Sequence, residues 1–312
     1  MIVVTGAAGF IGSNLVRALN GRGRSDLLLV DDLSDGRKFA NLADCDFVDY
    51  ADKSDFHARV VSGALEDVEA IFHQGACSNT MEWNGRFMLN ENYEYSKCLY
   101  AFAIARGIPL VYASSASVYG MGPDFREDPA LERPLNLSAW SKVLFDRWVR
   151  RNAPNARSQV VGLRYFNVYG PREAHKAEMA SVAWRHHLQL RDGDVVRLFE
   201  SSDGYGPGEQ RRDFVYVDDV AAINLWFLDH PRASGIFNVG TGRAQTFNDV
   251  ARAVIAHHGH GRIEYVPFPA ALRGSYQSFT QANTSALRAT GCDLPFLSVE
   301  QGVSRYLKTM TA

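Results

Sequence analysis

Short apolar runs alternate with longer amphipathic stretches through the first half of the chain. The runs "MIVV", "DLLLVDD", "AIFHQ", "PLVYASS" and "QVVGLRYF" carry few charges, which is typical of strands that are buried on both faces of a sheet. Helical patterns such as "AWSKVLFDRWVRRNA" lie between them. Because strands that alternate with helices need crossover connections, the pattern predicts an α/β fold with a doubly wound parallel sheet.

This alternation changes after Gly170. The next segments are a loop ("GPREAHKAEM"), a glycine-rich turn ("SSDGYGPGEQ"), one more strand–helix unit, and short helices around the strand "RIEYVPF". We therefore predict a large domain over residues 1–170, completed by about residues 214–241. Residues 171–213 and 242–312 are expected to form a smaller, interleaved C-terminal α/β lobe that binds the substrate.

Composition narrows the class of protein. The 312 residues are 46% hydrophobic and 22% charged with a net charge of −2, so the charge balance favours neither nucleic acid nor an anionic membrane. No apolar segment approaches the roughly 18 residues that span a bilayer. The four cysteines are scattered without metal-like spacing, and the N-terminus is a poor signal peptide. We expect a cytoplasmic protein without a metal site.

The segment "VVTGAAGFIGSNLV" joins the first predicted strand to the first predicted helix. Gly6 permits a tight turn, Gly9 lets the backbone approach a pyrophosphate, and Gly12 lets the helix pack closely on the strand. The free N–H groups of Phe10 and Ile11, at the helix N-terminus, would bind the phosphates. The large domain is therefore predicted to be a Rossmann-type dinucleotide-binding domain.

An acidic pair, Asp31 and Asp32, ends the second predicted strand. A carboxylate at this place accepts hydrogen bonds from the adenosine ribose, which favours NAD. Lys38 follows closely and would neutralise the 2′-phosphate of NADP. Asp32 and Lys38 can also be interpreted as ordinary solvated loop charges, so these residues leave the choice of cofactor open.

The segment "HQGA" is expected to pass its backbone along the nicotinamide end of the cofactor. His73 is interpreted as a buried strand-end histidine whose ring is satisfied by the backbone. Asn92, inside the long helical pattern, either reaches the active-site end or caps a neighbouring segment.

The motifs "TGAAGFIG", "YASSASVYG", "SK", "LRYFNVYGP" and "RDFVYVDDV" resemble those of the extended short-chain dehydrogenase/reductase family, which contains nucleotide-sugar epimerases and dehydratases. Longer stretches such as "FHQGACSNTMEWNGRFMLNENYEYSK" and "YVPFPAALRGSYQSFTQAN" are similar to the members that epimerise ADP-heptose for the lipopolysaccharide inner core. The resemblance implies NADP as the cofactor, with NAD in some members. It also implies a homo-oligomer.

By the same resemblance, hydride is removed from C6″ of the substrate and returned to the other face of a transient ketone. Ser115 matches the serine that hydrogen-bonds the reacting oxygen, with Ser114 and Ser117 as alternates. Lys142 matches the lysine that binds the nicotinamide ribose, and Lys176 a second base on the opposite face. Further matches to cofactor-binding positions are Lys53, Gln74, Gly75, Ala76, Cys77, Ser78 and Asn92. Matches to substrate-binding positions are Asn167, Val168, Glu178, Arg185, Phe199, Glu200, Ser201, Ser202, Arg212 and Tyr276.

The chain departs from this pattern at Ser138, which stands where the family has its catalytic tyrosine. The pKa of a serine hydroxyl lies far above that of a phenol, and its side chain is shorter by a whole ring. Ser138 would serve equally well as the N-cap of the helix that follows. Glu178 and Arg185 differ from the serine and histidine usual in the ADP-heptose group, and Asn283 replaces an aspartate.

These departures leave three interpretations. The chain is an ADP-heptose epimerase by descent, either active or crippled, or a nucleotide-sugar epimerase or dehydratase with another substrate, or a catalytically silent dinucleotide-binding paralogue. Tyr119, Tyr169 or a desolvated Lys176 are candidates for a replacement base. Because epimerisation handles protons on both faces of the substrate, one base alone does not suffice, and we expect slow turnover by an ADP-heptose epimerase.

Overall fold

A computed structural model describes residues 1–153, 156–270, 274 and 276–311. The strands are β1 (Ile2–Thr5), β2 (Leu27–Asp31), β3 (Asp49–Asp52), β4 (Ala70–His73), β5 (Leu110–Ser115), β6 (Val160–Tyr165), β7 (Asn167–Tyr169), β8 (Val195–Phe199), β9 (Arg211–Arg212), β10 (Phe214–Tyr216), β11 (Gly235–Val239), β12 (Gln245–Thr246) and β13 (Arg262–Val266). The α-helices are α1 (Phe10–Asn20), α2 (Lys53–Ser62), α3 (Gly85–Leu89), α4 (Tyr95–Arg106), α5 (Leu137–Asn152), α6 (Val182–Asp192), α7 (Val217–Asp229), α8 (Phe247–His258), α9 (Ser285–Ala289) and α10 (Val299–Thr311).

The main sheet has seven strands in the order β3-β2-β1-β4-β5-β6-β11. Every neighbouring pair in it is parallel. The predicted α/β fold with a doubly wound parallel sheet is therefore confirmed. The strand order reverses between β1 and β4, and a crevice at the carboxyl ends of such strands is where open α/β sheets bind their ligands.

Apolar side chains cover both faces of this sheet. One cluster joins β1 and β6 to α1 and α7, and includes Leu15, Leu163 and Phe227. A second joins the opposite face to α2, α4 and α5, and includes Phe56 and Phe145. Burial on both faces explains why the strands of this sheet, apart from its edges, show as continuous apolar runs in the sequence.

The C-terminal part of the chain builds smaller sheets. These pair β7 with β10, β9 with β12, and β8 with β13. A third apolar cluster packs α6, α8 and α10 against β8 and β10. The chain returns to the main sheet at β11, so the two parts are interleaved, while the exact domain boundaries stay a prediction. No helix among the described residues is both long and apolar enough to cross a membrane.

The long helical pattern near residue 90 is interrupted in the structure. A π-helical turn over Asn90–Glu94 separates α3 from α4 and directs Asn92 into the interior, where it is 1% exposed. Turns of this kind are often found at functional sites.

Candidate active site

A cavity of about 920 Å³ lies across the carboxyl ends of the main sheet. One side is formed by the glycine-rich turn after β1 and by the segments after β2, β4 and β5. The smaller lobe forms the other side, with side chains from α6, β9 and the segment before α9. The cavity therefore lies where the fold predicts a dinucleotide and its substrate.

Most of the predicted site residues line this cavity. They are Gly6, Gly9, Phe10, Ile11, Gly12, Asp31, Asp32, Lys38, Lys53, Gln74, Gly75, Ala76, Cys77, Ser78, Ser115, Ser138, Lys142, Asn167, Val168, Lys176, Arg185, Arg212 and Tyr276. Six predicted residues lie outside its lining, namely Asn92, Glu178, Phe199, Glu200, Ser201 and Ser202.

The glycine-rich turn has the geometry that a dinucleotide needs. Gly6 has a φ of +68°, and a Cβ on Gly12 would lie 2.0 Å from the carbonyl oxygen of Gly6. Helix α1 begins at Phe10 with Gly9 as its N-cap and without a side-chain cap. The backbone N–H groups of its first turn therefore face the cavity without a capping side chain, which fits a bound pyrophosphate.

Carboxylates and lysines are mixed at the adenosine end. The Asp31 carboxylate accepts hydrogen bonds from the N–H groups of Ala8 and Asp32, each at 2.7 Å, and pairs with Lys38 at 2.5 Å. Lys53 bridges Asp32 at 2.9 Å and Glu91 at 2.8 Å. Hydrogen bonds from Ser34, followed by the Lys53 ammonium, hold the pKa of Asp32 well below its usual range. The carboxylates of this group suit the hydroxyls of a ribose, and the lysines suit a 2′-phosphate.

Asn92 holds the segment at the nicotinamide end instead of lining the cavity. Its Oδ1 accepts from the N–H of Cys77 at 2.7 Å, and its Nδ2 donates to the Cys77 carbonyl at 3.0 Å. Nδ2 also donates to Ser141 Oγ at 3.0 Å, and that hydroxyl donates to the carbonyl of Ser138. Asn92 therefore connects this segment to the start of α5. Of its two predicted roles, the structure shows the second, in which Asn92 caps a neighbouring segment.

His73 is buried as predicted, but side chains rather than the backbone satisfy its ring. Nδ1 lies 2.7 Å from Thr5 Oγ1, and Nε2 lies 2.8 Å from Ser96 Oγ. Because Ser96 donates its only proton to the Asn92 carbonyl, its oxygen accepts from Nε2–H. Burial lowers the pKa of His73 to about 3. The ring is therefore neutral, and the prediction of backbone partners was wrong.

Ser115 and Lys142 lie at the end of β5 and on the first turns of α5. Ser115 Oγ accepts from the N–H of Ser117 at 3.1 Å and from the Ser117 hydroxyl at 2.8 Å, which leaves its own proton available to a ligand. Lys142 Nζ donates to the Ala113 carbonyl at 2.8 Å. Burial lowers the pKa of Lys142 to about 8, against the opposing charge of Asp146.

Ser138 is the second residue of α5 and does not cap it. The N-cap is Asn136, whose side chain accepts from the N–H of Ala139 at 2.8 Å. The interpretation of Ser138 as an N-cap was therefore wrong, because the helix begins two residues earlier than an N-cap at Ser138 requires. Ser138 is 9% exposed and lines the cavity, and its hydroxyl has no hydrogen-bond partner in the described part of the chain.

Among the described residues, no tyrosine that lines the cavity has a lowered pKa. Tyr119 and Tyr169 do not line the cavity. Their hydroxyls donate hydrogen bonds to Asn238 and Ser298, respectively. Tyr95, Tyr165 and Tyr276 do line it. Burial raises the pKa of each of these three phenols above its ordinary value, which makes them poorer bases at neutral pH.

Lys176 reaches the cavity from a 3-10 turn over Ala174–Met179. Its Nζ lies 5.1 Å from the centre of the Phe10 ring, and burial lowers its pKa, with Glu173 opposing. Ala177, the next residue, has a φ of +48° and kinks the chain. Glu178 is exposed and does not belong to the cavity lining, so its contact with the substrate stays a prediction.

Arginines line the substrate side. Arg212 is only 6% exposed, lies 4.9 Å from the centre of the Tyr276 ring, and has a buried Nη1 without a hydrogen-bond partner among the described residues. Arg185 lines the same cavity and lies close enough to Tyr276 to affect its pKa. A buried guanidinium with a free donor fits a phosphate oxygen of the substrate.

The segment Phe199–Ser202 forms a layer behind this wall. The Phe199 ring contacts the Tyr276 ring at 6.4 Å, while Glu200 donates its N–H to the Val266 carbonyl. Gln210 donates to both the Glu200 carbonyl and Ser202 Oγ, and Ser201 is exposed. Phe199 therefore supports Tyr276, and none of these four residues belongs to the cavity lining.

Sequence reasoning missed several residues of the lining. Thr5, Glu91, Tyr95, Tyr165, His175 and Phe247 belong to it. Thr5 and Tyr165 lie at strand ends, so the rule that ligands bind at carboxyl ends of parallel strands was the signal available for them.

Known proteins resemble this chain over its whole length. Residues 2–240 match the NAD dependent epimerase/dehydratase family. The chain is 58% identical over 98% of its length to ADP-L-glycero-D-manno-heptose-6-epimerase of Alkalilimnicola ehrlichii, of which it covers 96%. The crystal structure of the Helicobacter pylori ADP-L-glycero-D-manno-heptose-6-epimerase is 30% identical, with a TM-score of 0.86 and coverage of 100% of this chain and 96% of that one.

A further solved structure holds a cofactor. The Thermus thermophilus UDP-glucose 4-epimerase in complex with NAD is 26% identical, with a TM-score of 0.78 and coverage of 100% and 99% of the two chains. The seven-stranded sheet, the glycine-rich turn and these similarities together define the family. The chain belongs to the NAD dependent epimerase/dehydratase family.

Proposed function

We propose that this protein is an ADP-heptose 6-epimerase that uses NADP and turns over slowly because Ser138 replaces the catalytic tyrosine. The identity of 58% over nearly the whole chain to an ADP-L-glycero-D-manno-heptose-6-epimerase carries the proposal. The fold supports it, since Ser115, Lys142 and Lys176 line one cavity together with the glycine-rich turn.

Each residue has a role in this proposal. The backbone N–H groups of Phe10 and Ile11 bind the pyrophosphate of the cofactor, which supplies a reversible hydride acceptor, and Lys38 and Lys53 bind its 2′-phosphate. The free proton of Ser115 is donated to the oxygen on the reacting carbon. Lys142 holds the nicotinamide ribose, and Arg212 binds the substrate diphosphate. Lys176 exchanges a proton with the substrate oxygen on the opposite face.

The slow turnover follows from the chemistry of position 138. A tyrosine there would present a phenol to the substrate, with a pKa that the Lys142 ammonium lowers from about 10. The serine hydroxyl is neither acidic enough nor long enough to act in the same way. Losing a general base commonly costs about 10²–10⁴ in rate.

The test is to incubate the purified protein with NADP and ADP-D-glycero-D-manno-heptose and to follow the C6″ epimer by chromatography. We expect slow conversion that depends on enzyme concentration and stops in Lys176→Met. Conversion of another nucleotide sugar in preference to this one would favour the second interpretation of the sequence. Cofactor binding without conversion of any nucleotide sugar would favour a silent paralogue.

A further inference from the structure

The loop that carries Lys176 is fastened to the cofactor-binding turn by two buried asparagines. Asn14, on α1, is 1% exposed and donates from Nδ2 to the carbonyls of Phe10 at 2.8 Å and Pro171 at 2.9 Å. One side chain therefore links the first turn of α1, which follows the glycine-rich turn, to the segment that leads to Lys176.

Asn41 makes the second connection. It is 9% exposed, and its Nδ2 lies 2.9 Å from the carbonyl of Ala8, 3.2 Å from the carbonyl of Arg172 and 3.1 Å from His175 Nδ1. The first of these acceptors belongs to the glycine-rich turn. The other two belong to the segment that leads into Lys176, and His175 directly precedes that lysine. The amide has two protons for three acceptors, so one proton is shared.

Other contacts leave this loop little freedom. Arg172 has a φ of +71°, pairs with Asp44 and donates to the Asn41 carbonyl. On the far side, the buried Glu173 accepts from the N–H and the hydroxyl of Ser181 at 2.6 and 2.7 Å. The loop is therefore anchored at both ends, and the anchor toward the cofactor consists of Asn14, Asn41 and Arg172.

We propose that Asn14 and Asn41 are positioning residues. They fix the position of Lys176 relative to the turn that binds the cofactor phosphates. The inference rests on the proposed function for the role of Lys176 as a base, but its structural part stands independently. Neither asparagine lines the cavity, so their effect on the reaction passes through the loop. A shift of about 1 Å in a catalytic group costs up to roughly 10² in rate.

The test compares Asn41→Ala and Asn14→Ala with Asn20→Ala. Asn20 is a matched control, because it also lies on α1 and its Nδ2 also joins two backbone carbonyls, those of Arg24 at 2.9 Å and Asp46 at 2.8 Å, remote from Lys176. The first readout is acetylation of Lys176 by trace acetic anhydride as a function of pH, quantified by mass spectrometry. This readout needs no turnover. It reports whether the amino group of Lys176 is still held in its buried position.

We expect the pH of half-maximal acetylation of Lys176 to rise in Asn41→Ala and Asn14→Ala and to stay unchanged in Asn20→Ala. The second readout is kinetic and uses the Ser138→Tyr background, where turnover is fast enough to measure. There the two variants should lower kcat at least ~10-fold with KM changed less than ~3-fold, while Asn20→Ala stays within ~2-fold.

The outcomes separate the two proposals. If Asn41→Ala and Asn14→Ala match Asn20→Ala in the acetylation profile, the positioning role is wrong, whatever the activity. If the profile shifts while the Ser138→Tyr background converts no ADP-heptose, the positioning role holds and the proposed function fails. A profile that shifts while kcat of the active background stays constant would refute the catalytic consequence of the positioning.

Discussion

At the scale of single residues, the site depends on close backbone approaches and on individual hydrogen bonds. The carbonyl of Gly6 lies where a Cβ of residue 12 would be, and Ser115 keeps a free proton because Ser117 supplies both of its other hydrogen bonds. The sequence predicted the glycines and Ser115, since each belongs to a motif with a mechanism. It did not predict the exact partners of Asn92 and His73, because these come from segments distant in sequence.

Gly12→Ala is expected to abolish cofactor binding. The added methyl group would lie 2.0 Å from the Gly6 carbonyl, which is backbone and cannot move freely, so overpacking should cost about 1–3 kcal/mol of stability and displace the turn. Gly21→Ala, at the C-cap of the same helix, is the control, because the atoms nearest to its added Cβ would be 3.5 Å away. Calorimetric titration with NADP measures the effect. Equal affinity in both variants would contradict the role given to the turn.

Lys142→Met should stabilise the protein at neutral pH. The unfolded chain binds this proton up to about pH 10.5, whereas the folded protein releases it near pH 8, so charge burial destabilises the fold at pH 7 and this penalty disappears between pH 8 and 10.5. Urea unfolding should show an advantage of the variant that shrinks by up to about 3 kcal/mol over that interval, because one pKa unit is about 1.4 kcal/mol. A difference that does not change with pH would contradict the assigned burial.

At the scale of elements, a few buried ion pairs and hydrogen bonds hold the strands and helices that carry the site residues. Arg164 on β6 pairs with Asp146 on α5 at 2.9 Å and with Glu132, and all three side chains are fully buried. Asp146 also accepts from Tyr112 and Ser114 of β5. This network fixes α5, and with it Ser138 and Lys142, against the strand that carries Ser115.

Arg164→Met is expected to lower the free energy of unfolding by about 3–5 kcal/mol, because it leaves the buried Asp146 carboxylate without its ion-pair partner, while Glu132 keeps Arg147 and Arg150. The control is Arg22→Met at the exposed pair with Asp229, where the loss should not exceed about 1 kcal/mol. Denaturant unfolding of both variants measures the difference. Similar losses would show that the network does not hold α5.

Periodicity predicted the elements with continuous apolar runs and missed those without them. The edge strand β3 has the sequence "DYAD" with only Ala51 buried, and β9 and β12 have two residues each, so none of them carries a pattern of its own. The π-helical turn before α4 likewise leaves no periodic signal, although it determines where Asn92 points. Tertiary pairing, not local sequence, creates these elements.

At the scale of the whole molecule, the main sheet and the smaller lobe enclose the cavity between them. Most of the predicted site residues line this cavity, because motifs mark the ends of parallel strands. Glu178 and Phe199–Ser202 lie outside the lining, and sequence could not show this because packing between the two parts decides which face of a loop meets the cavity. Assembly into a homo-oligomer stays a prediction, which light scattering on the purified protein checks.

NADP should stabilise the protein through both parts of this cavity. At 100 times its Kd it should add about 2.7 kcal/mol to the free energy of unfolding. The double variant Lys38→Ala, Lys53→Ala should weaken the binding of NADP strongly and the binding of NAD only a little, because only NADP carries the 2′-phosphate. Thermal shift with each cofactor measures both effects. An equal loss for the two cofactors would mean that these lysines do not read the phosphate.

The proposed function predicts that a phenol at position 138 is the one catalytic group that this site lacks. The most direct measurement compares kcat for conversion of ADP-D-glycero-D-manno-heptose by the protein, by Ser138→Tyr and by Ser138→Phe, which restores the ring without the hydroxyl. We predict that Ser138→Tyr increases kcat by about 10²–10⁴ and that Ser138→Phe does not. Folded, NADP-bound Ser138→Tyr with no more activity than Ser138→Phe would contradict the account.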